Sequence, residues 1–151
     1  MNSNSNSNNN NNNNTNNTNI NNNSESSESV YYELVGEKFH YFVKTLQLQL
    51  GRSADNNENI LSEYITSNTA GLGNSKLISR HHITIQWNPD NGVWQLMIIG
   101  RNGVLVDSHY YKLGYSSSNS PSSISPIHLP YNRPCPIKVG DCKFWFNPVK
   151  I

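Results

Sequence analysis

Cys135-Pro136-Ile137-Lys138-Val139-Gly140-Asp141-Cys142-Lys143-Phe144-Trp145-Phe146 reads as a hairpin whose register can be checked against its own hydrophobic pattern. With Gly140-Asp141 as a two-residue turn, Val139 faces Cys142, Ile137 faces Phe144 and Cys135 faces Phe146. These six side chains then fall on one side of the pair, with Lys138, Lys143 and Asn147 on the other. A slip of one residue would carry the whole apolar set to solvent, so one buried face specifies this register. Cys135 and Cys142 are not opposite each other in it, which argues against a disulfide between them.

The same period of two extends upstream. Ile83, Ile85 and Trp87 alternate with Thr84 and Gln86, Asn88-Pro89-Asp90-Asn91-Gly92 supplies turn residues, and Trp94, Leu96 and Ile98 alternate on the return. His82 is expected to share the face of Thr84, opposite Ile83 and Ile85. Phe39, Tyr41 and Val43 form one earlier alternating set, and Leu46, Leu48 and Leu50 another, ending at Gly51. A short strand is expected at Val104–Val106. Residues 53–75 read as a long loop with partial structure, in which Ile60, Leu61, Tyr64 and Ile65 form a short strand or helical turn plugging the core. Residues 114–126 read as a surface loop. No segment holds a helical period, so many short strands joined by polar turns predict an all-β sandwich of two twisted sheets.

Composition bounds the rest. Sixteen of the first 23 residues are Asn, and such a tract buries too little to offset its ordering entropy. Residues 1–29 are expected to be a disordered Asn-rich tail and 30–151 one domain. That domain holds all 11 Lys and Arg but only 8 of the acids, a net of about +3. This suits one small basic pocket and not a broad nucleic-acid surface. Met1 leads into Asn and Ser with no apolar signal region, no run approaches membrane-spanning length, and two cysteines make no disulfide framework. The chain reads as soluble and intracellular, with reduced thiols.

Three short strings lie at strand ends, where a sandwich gathers its loops: Gly51-Arg52-Ser53, Ser79-Arg80-His81-His82 and Arg101-Asn102-Gly103. Taken singly, each has an ordinary reading. An Arg at a strand end is usually solvated, and Asn-Gly is the commonest hairpin turn. Taken together they offer a guanidinium fork for a phosphate dianion, a hydroxyl and backbone N–H at Ser79 as further donors, and an amide at Asn102 that matches an extended peptide. The adjacent histidines fall short of the three or four ligands zinc needs, and both cysteines point into the hairpin's apolar face. No nucleophile elbow surrounds Ser79, and no acid/base pair or cofactor loop appears.

Gly-Arg, then Ser-x-x-His, then Asn-Gly, on a sandwich ending in a Gly turn and a Phe-x-Phe strand, resembles the forkhead-associated (FHA) domain, in the form found in fork head-like transcription factors. The resemblance covers about residues 30–151 and is carried by Ser75–His82, Gly100–Asp107 and Val139–Phe146. It implies an FHA/SMAD-like β-sandwich that binds phosphothreonine peptides without catalysis, metal or cofactor. Arg52 and Ser79 would contact the phosphate, Arg80 would add a phosphate or peptide contact, and Asn102 would hold the peptide backbone. Gly51 would permit the turn, His82 would brace the loops, and Gly103 would shape them. Arg101 stands where many members carry Ser or Thr, and would either strengthen the phosphate grip or crowd the pocket. Leu77, two residues before Ser79, stands where some members select the third residue after phosphothreonine, and would favour an apolar side chain there.

The expected partner is a threonine-phosphorylated protein, with no membrane and no small-molecule substrate, and direct nucleic-acid binding is disfavoured. The nucleus is the expected location, with the cytoplasm second. The alternatives on the same fold are a phosphate-independent interaction or dimerisation domain and a transcription-associated protein with weak nucleic-acid contact.

Overall fold

The computed structural model describes residues 29–53, 61–115, 121–122 and 125–149. The expected tail up to Glu28, Asn56-Asn57 and Ile60 lie outside the described residues. In chain order the strands are β1 (Tyr32–Gly36), β2 (Phe39–Val43), β3 (Gln47–Gly51), β4 (Leu61–Ile65), β5 (Thr69–Gly71), β6 (Ile83–Asn88), β7 (Val93–Ile98), β8 (Val104–Val106), β9 (His109–Tyr111), β10 (Gly114–Tyr115), β11 (Pro121–Ser122), β12 (Ile127–His128), β13 (Cys135–Val139) and β14 (Cys142–Pro148). Among the described residues there is no helix.

A seven-stranded sheet runs β4-β2-β1-β14-β13-β8-β9 and a five-stranded sheet runs β12-β7-β6-β3-β5, with β10 and β11 as a separate pair. Most neighbours are antiparallel, but β2–β4 and β3–β5 are parallel. The β13–β14 hairpin has the register its hydrophobic pattern demands: Cys135 against Phe146, Ile137 against Phe144, Val139 against Cys142. Gly140 takes a left-handed φ of 61° at the turn, and both cysteines are free. The β6–β7 hairpin likewise sets Ile83 against Ile98, Ile85 against Leu96 and Trp87 against Trp94.

The two inner faces meet in one core. Tyr32, Leu34, Val43, Ile137 and Phe146 come from the larger sheet, and Leu48, Leu50, Ile83, Ile85 and Leu96 from the smaller. The Tyr32 ring meets Trp94 edge-on at 4.8 Å and Phe146 at 4.8 Å, tying β1 and β14 to β7 across the sandwich.

Three local expectations are corrected. Leu46 is 50% exposed, because the chain leaves β2 for the other sheet here. Its backbone carbonyl accepts the Trp87 N–H at 2.9 Å while its side chain stays outside. Both faces of the stretch from His82 are covered: His82, Ile83, Thr84 and Ile85 are all buried. Residues 61–65 make a strand, but Leu61 and Tyr64 are exposed and only Ile65 reaches the core. A strand paired along one edge of β2 presents most of its side chains to water. Finally, Arg101-Asn102-Gly103 is not a hairpin turn. It links β7 in one sheet to β8 in the other, and neither Asn102 nor Gly103 has a positive φ.

The β8–β9 turn carries real backbone strain, with φ of 51° at Asp107 and 74° at Ser108. Both signs fit a primed hairpin turn, which normally recruits Asn or Gly. The Arg133 guanidinium holds the Asp107 carboxylate at 2.6 and 3.2 Å and keeps that carboxyl below its ordinary range. Left-handed backbone costs a non-glycine residue about 1–2 kcal/mol, offset by about 0.5–1 kcal/mol of glycine's extra chain entropy. Ser108→Gly should therefore stabilise the domain by about 0.5–1 kcal/mol, read as a melting temperature higher by a few degrees. An unchanged or lower midpoint would contradict the strain.

Candidate functional site

The three strings meet because the loops after β3, before β6 and after β7 lie side by side at one end of the sandwich. Backbone bonds fix their relation. The Arg52 N–H donates to the Ser79 carbonyl at 2.9 Å, and the His82 N–H donates to the Leu50 carbonyl at 2.9 Å. Ile99 and Gly100 N–H groups both donate to the His82 carbonyl, at 2.8 and 2.9 Å.

The His82 side chain is fully buried and spans two of the loops. Its Nδ1 accepts the Ser79 N–H at 3.0 Å. That acceptor role places the ring proton on Nε2, which donates to the Asn102 carbonyl at 2.7 Å. One neutral imidazole thus satisfies a donor on one loop and an acceptor on another. It also consumes the Ser79 N–H, so that group is not available as the second donor expected from the sequence.

The hydroxyl of Ser79 is differently placed. Its Oγ accepts the Arg101 N–H at 3.2 Å, which leaves its proton free to donate. The Asn102 Nδ2 donates to the Leu77 carbonyl at 2.9 Å. Its Oδ1 and remaining N–H have no other protein partner among the described residues. Ser79 is thus tied to Arg101 and Asn102 to Leu77, while the Ser79 hydroxyl and the Asn102 amide keep capacity for something else.

The loops at this end carry three arginines. Arg80 and Arg101 are exposed and Arg52 is half-buried. Among the described residues the ion pairs are Glu33–His40 and Asp107–Arg133, and none of these three arginines takes part. Guanidinium groups of this kind are suited to pairing with an anion. His81 lies apart from this: its Nε2 meets the Thr84 hydroxyl at 2.7 Å, and burial lowers its pKa. Among the described residues no three His, Cys, Asp or Glu side chains gather to hold a metal, and no helix is long and apolar enough to cross a membrane.

Glycine is needed here for closeness and not for a turn. A Cβ on Gly51, which lies inside β3, would stand 1.8 Å from the Arg80 carbonyl oxygen. One on Gly103 would stand 2.4 Å from the Tyr111 carbonyl oxygen. The sequence reading passed over Gly100, whose Cβ would strike the His82 ring at 2.5 Å. The signal was present as a glycine ending a strand, but its cause lies across the site. Leu77 is 52% exposed and, with Asn102, lines a hollow of about 330 Å³ beside the arginines' loops.

Comparison with known proteins agrees with this geometry. Residues 48–114, which contain all three strings, match the family model of the FHA domain. The chain is 32% identical over 107 residues to Fork head protein homolog 2 of Saccharomyces cerevisiae, covering 66% of this chain and 11% of that protein. It is 34% identical over 93 residues to Fork-head transcriptional regulator 2 of Candida albicans, covering 59% of this chain and 13% of that protein. A 26% identical stretch of 125 residues, 79% of this chain, matches about half of Transcriptional activator FHA1 of Nicotiana tabacum. The chain thus spans roughly a tenth of the length of the fork head relatives. FHA domains are phosphopeptide-binding interaction modules, and neither they nor the fork head regulators are enzyme families. The two-sheet sandwich and the matched segment together establish that this chain carries an FHA domain of the fork head type.

Proposed function

We propose that this protein is a phosphothreonine-dependent interaction module acting in the nucleus on transcriptional regulation. The observation that supports the reading is that backbone bonds bring the loops of Arg52 and Arg101 onto Ser79, beside Arg80, with none of the three arginines ion-paired among the described residues. Arg52 presents its fork to the phosphate, Ser79 donates its hydroxyl to a phosphate oxygen, and Arg80 and Arg101 add charge at the rim. Asn102 offers an acceptor and a donor to the backbone of the bound peptide. The nuclear setting rests on the relatives, whose names are those of transcriptional regulators.

The donors named here suit gripping a phosphate through charge-assisted hydrogen bonds. A phosphoserine would satisfy the same donors, and discrimination then falls to the threonine methyl group. A peptide array carrying phosphothreonine, phosphoserine and unmodified threonine at one fixed position tests this. Strong retention of phosphothreonine peptides, weaker retention of phosphoserine and none of the unmodified set is expected, and equal retention of the unmodified set would overturn the reading.

A further inference from the structure

The outer face of the larger sheet carries an arrangement that the anion site does not use. Leu105 on β8 pairs across to Lys138 on β13, and Lys138 pairs across to Lys143 on β14. Both lysines are exposed, and neither forms an ion pair among the described residues. Like charges directly opposite on a sheet are destabilising, so the fold gains nothing from this pair. On the other side of Leu105 lies Tyr110 of β9, 64% exposed. Leu77, Leu105, Tyr110 and Lys138 line the same hollow of about 330 Å³ that begins at Asn102.

This order of chemistry has a direction. Asn102 lies at one end, Leu77, Leu105 and Tyr110 form an apolar wall, Lys138 closes the hollow, and Lys143 stands one strand further on. Neighbouring strands are about 4.8 Å apart, and an extended peptide rises about 3.3 Å per residue. A peptide leaving Asn102 across β8, β13 and β14 reaches the lysines roughly one to three residues after the side chain that fills the apolar hollow.

We propose that Lys138 and Lys143 form a second anion subsite, which reads a carboxylate or a second phosphate on the phosphothreonine peptide beyond an apolar residue. The proposal rests on the phosphothreonine reading and extends it to the composition of the partner. Its signature is a pair of charges kept for a ligand at no benefit to the fold.

The test uses the full chain and a phosphothreonine peptide bearing one apolar residue for the hollow. Alanine, glutamate or phosphoserine is placed at each following position in turn. An anionic residue at one or two adjacent positions should raise affinity about 3–10-fold over alanine. Glutamate and phosphoserine arms separate the two sources of negative charge. In the Lys138→Gln/Lys143→Gln variant the gain should vanish, affinity for the alanine peptide should persist, and the melting temperature should hold or rise. A gain that survives in the variant, or no gain at any position, would overturn the proposal. Failure of the alanine peptide itself to bind the unaltered chain would instead sink the phosphothreonine reading, and this subsite with it.

Discussion

Arg52→Ala should reduce affinity for a phosphothreonine peptide by at least about 100-fold while leaving the thermal midpoint unchanged. A hydrogen bond to a charged group contributes about 1.5–3 kcal/mol, and a bidentate fork makes two. Each 1.4 kcal/mol is tenfold in affinity, so even incomplete additivity gives this loss. The fold is spared because the structural bond at this position belongs to the backbone, from the Arg52 N–H to the Ser79 carbonyl. Isothermal titration alongside a melting curve separates the two effects. Unchanged affinity would show that the phosphate sits elsewhere, and a lost fold would show that the side chain is structural. Arg52→Lys sharpens the result: it keeps the charge and loses the planar fork, so it should recover only part of the affinity.

His82→Ala should lose both stability and binding. The ring is fully buried, and its removal strands the Ser79 N–H and the Asn102 carbonyl, since both had it as partner. An unsatisfied buried polar group costs about 1–3 kcal/mol, and a cavity term adds to this. A destabilisation of about 3–5 kcal/mol follows, measured by urea unfolding. The loops carrying Ser79 and Asn102 would no longer be held together, so peptide affinity should fall even at temperatures where the variant is folded. His82→Gln is the informative companion, since its amide offers one acceptor and one donor and should recover part of each. A variant with native stability and native binding would remove His82 from the account of the site.

The two predictions differ because the two residues were legible to different degrees. Arg52 stood out in the sequence as an arginine directly after a glycine that ends an alternating run. The role of His82 as a brace came only with the family resemblance, because alternation placed it only on the face of Thr84, opposite Ile83 and Ile85. The structure buries it among the strand's own apolar residues, since this stretch is covered on both sides and a period of two then carries no information. The same limit explains Asn102-Gly103, a hairpin signal that serves a sheet-to-sheet link. Local turn chemistry cannot say which sheet the next strand joins.

The β13–β14 hairpin was legible because one face is apolar and the other polar, and β6–β7 because of the turn residues between its two alternating runs. The β1 strand escaped notice because only Tyr32 and Leu34 of its five residues are buried, and its partners β14 and β2 are remote or separated by a turn. The parallel strand β4 has a single buried side chain, so it offers almost no pattern. The lysine pair was visible as two residues on the polar face of the last hairpin. That they oppose each other next to a hollow follows only from where β8 and β9 come to lie.

The central claim is that the three arginines and Ser79 recognise phosphate on threonine. Titration of the unaltered chain with one peptide sequence in three forms tests it most directly: phosphothreonine, phosphoserine and unmodified threonine. The account predicts measurable binding of the phosphothreonine form, weaker binding of phosphoserine and none of the unmodified peptide, with affinity falling as salt rises. Equal affinity for the phosphorylated and unmodified forms would contradict it.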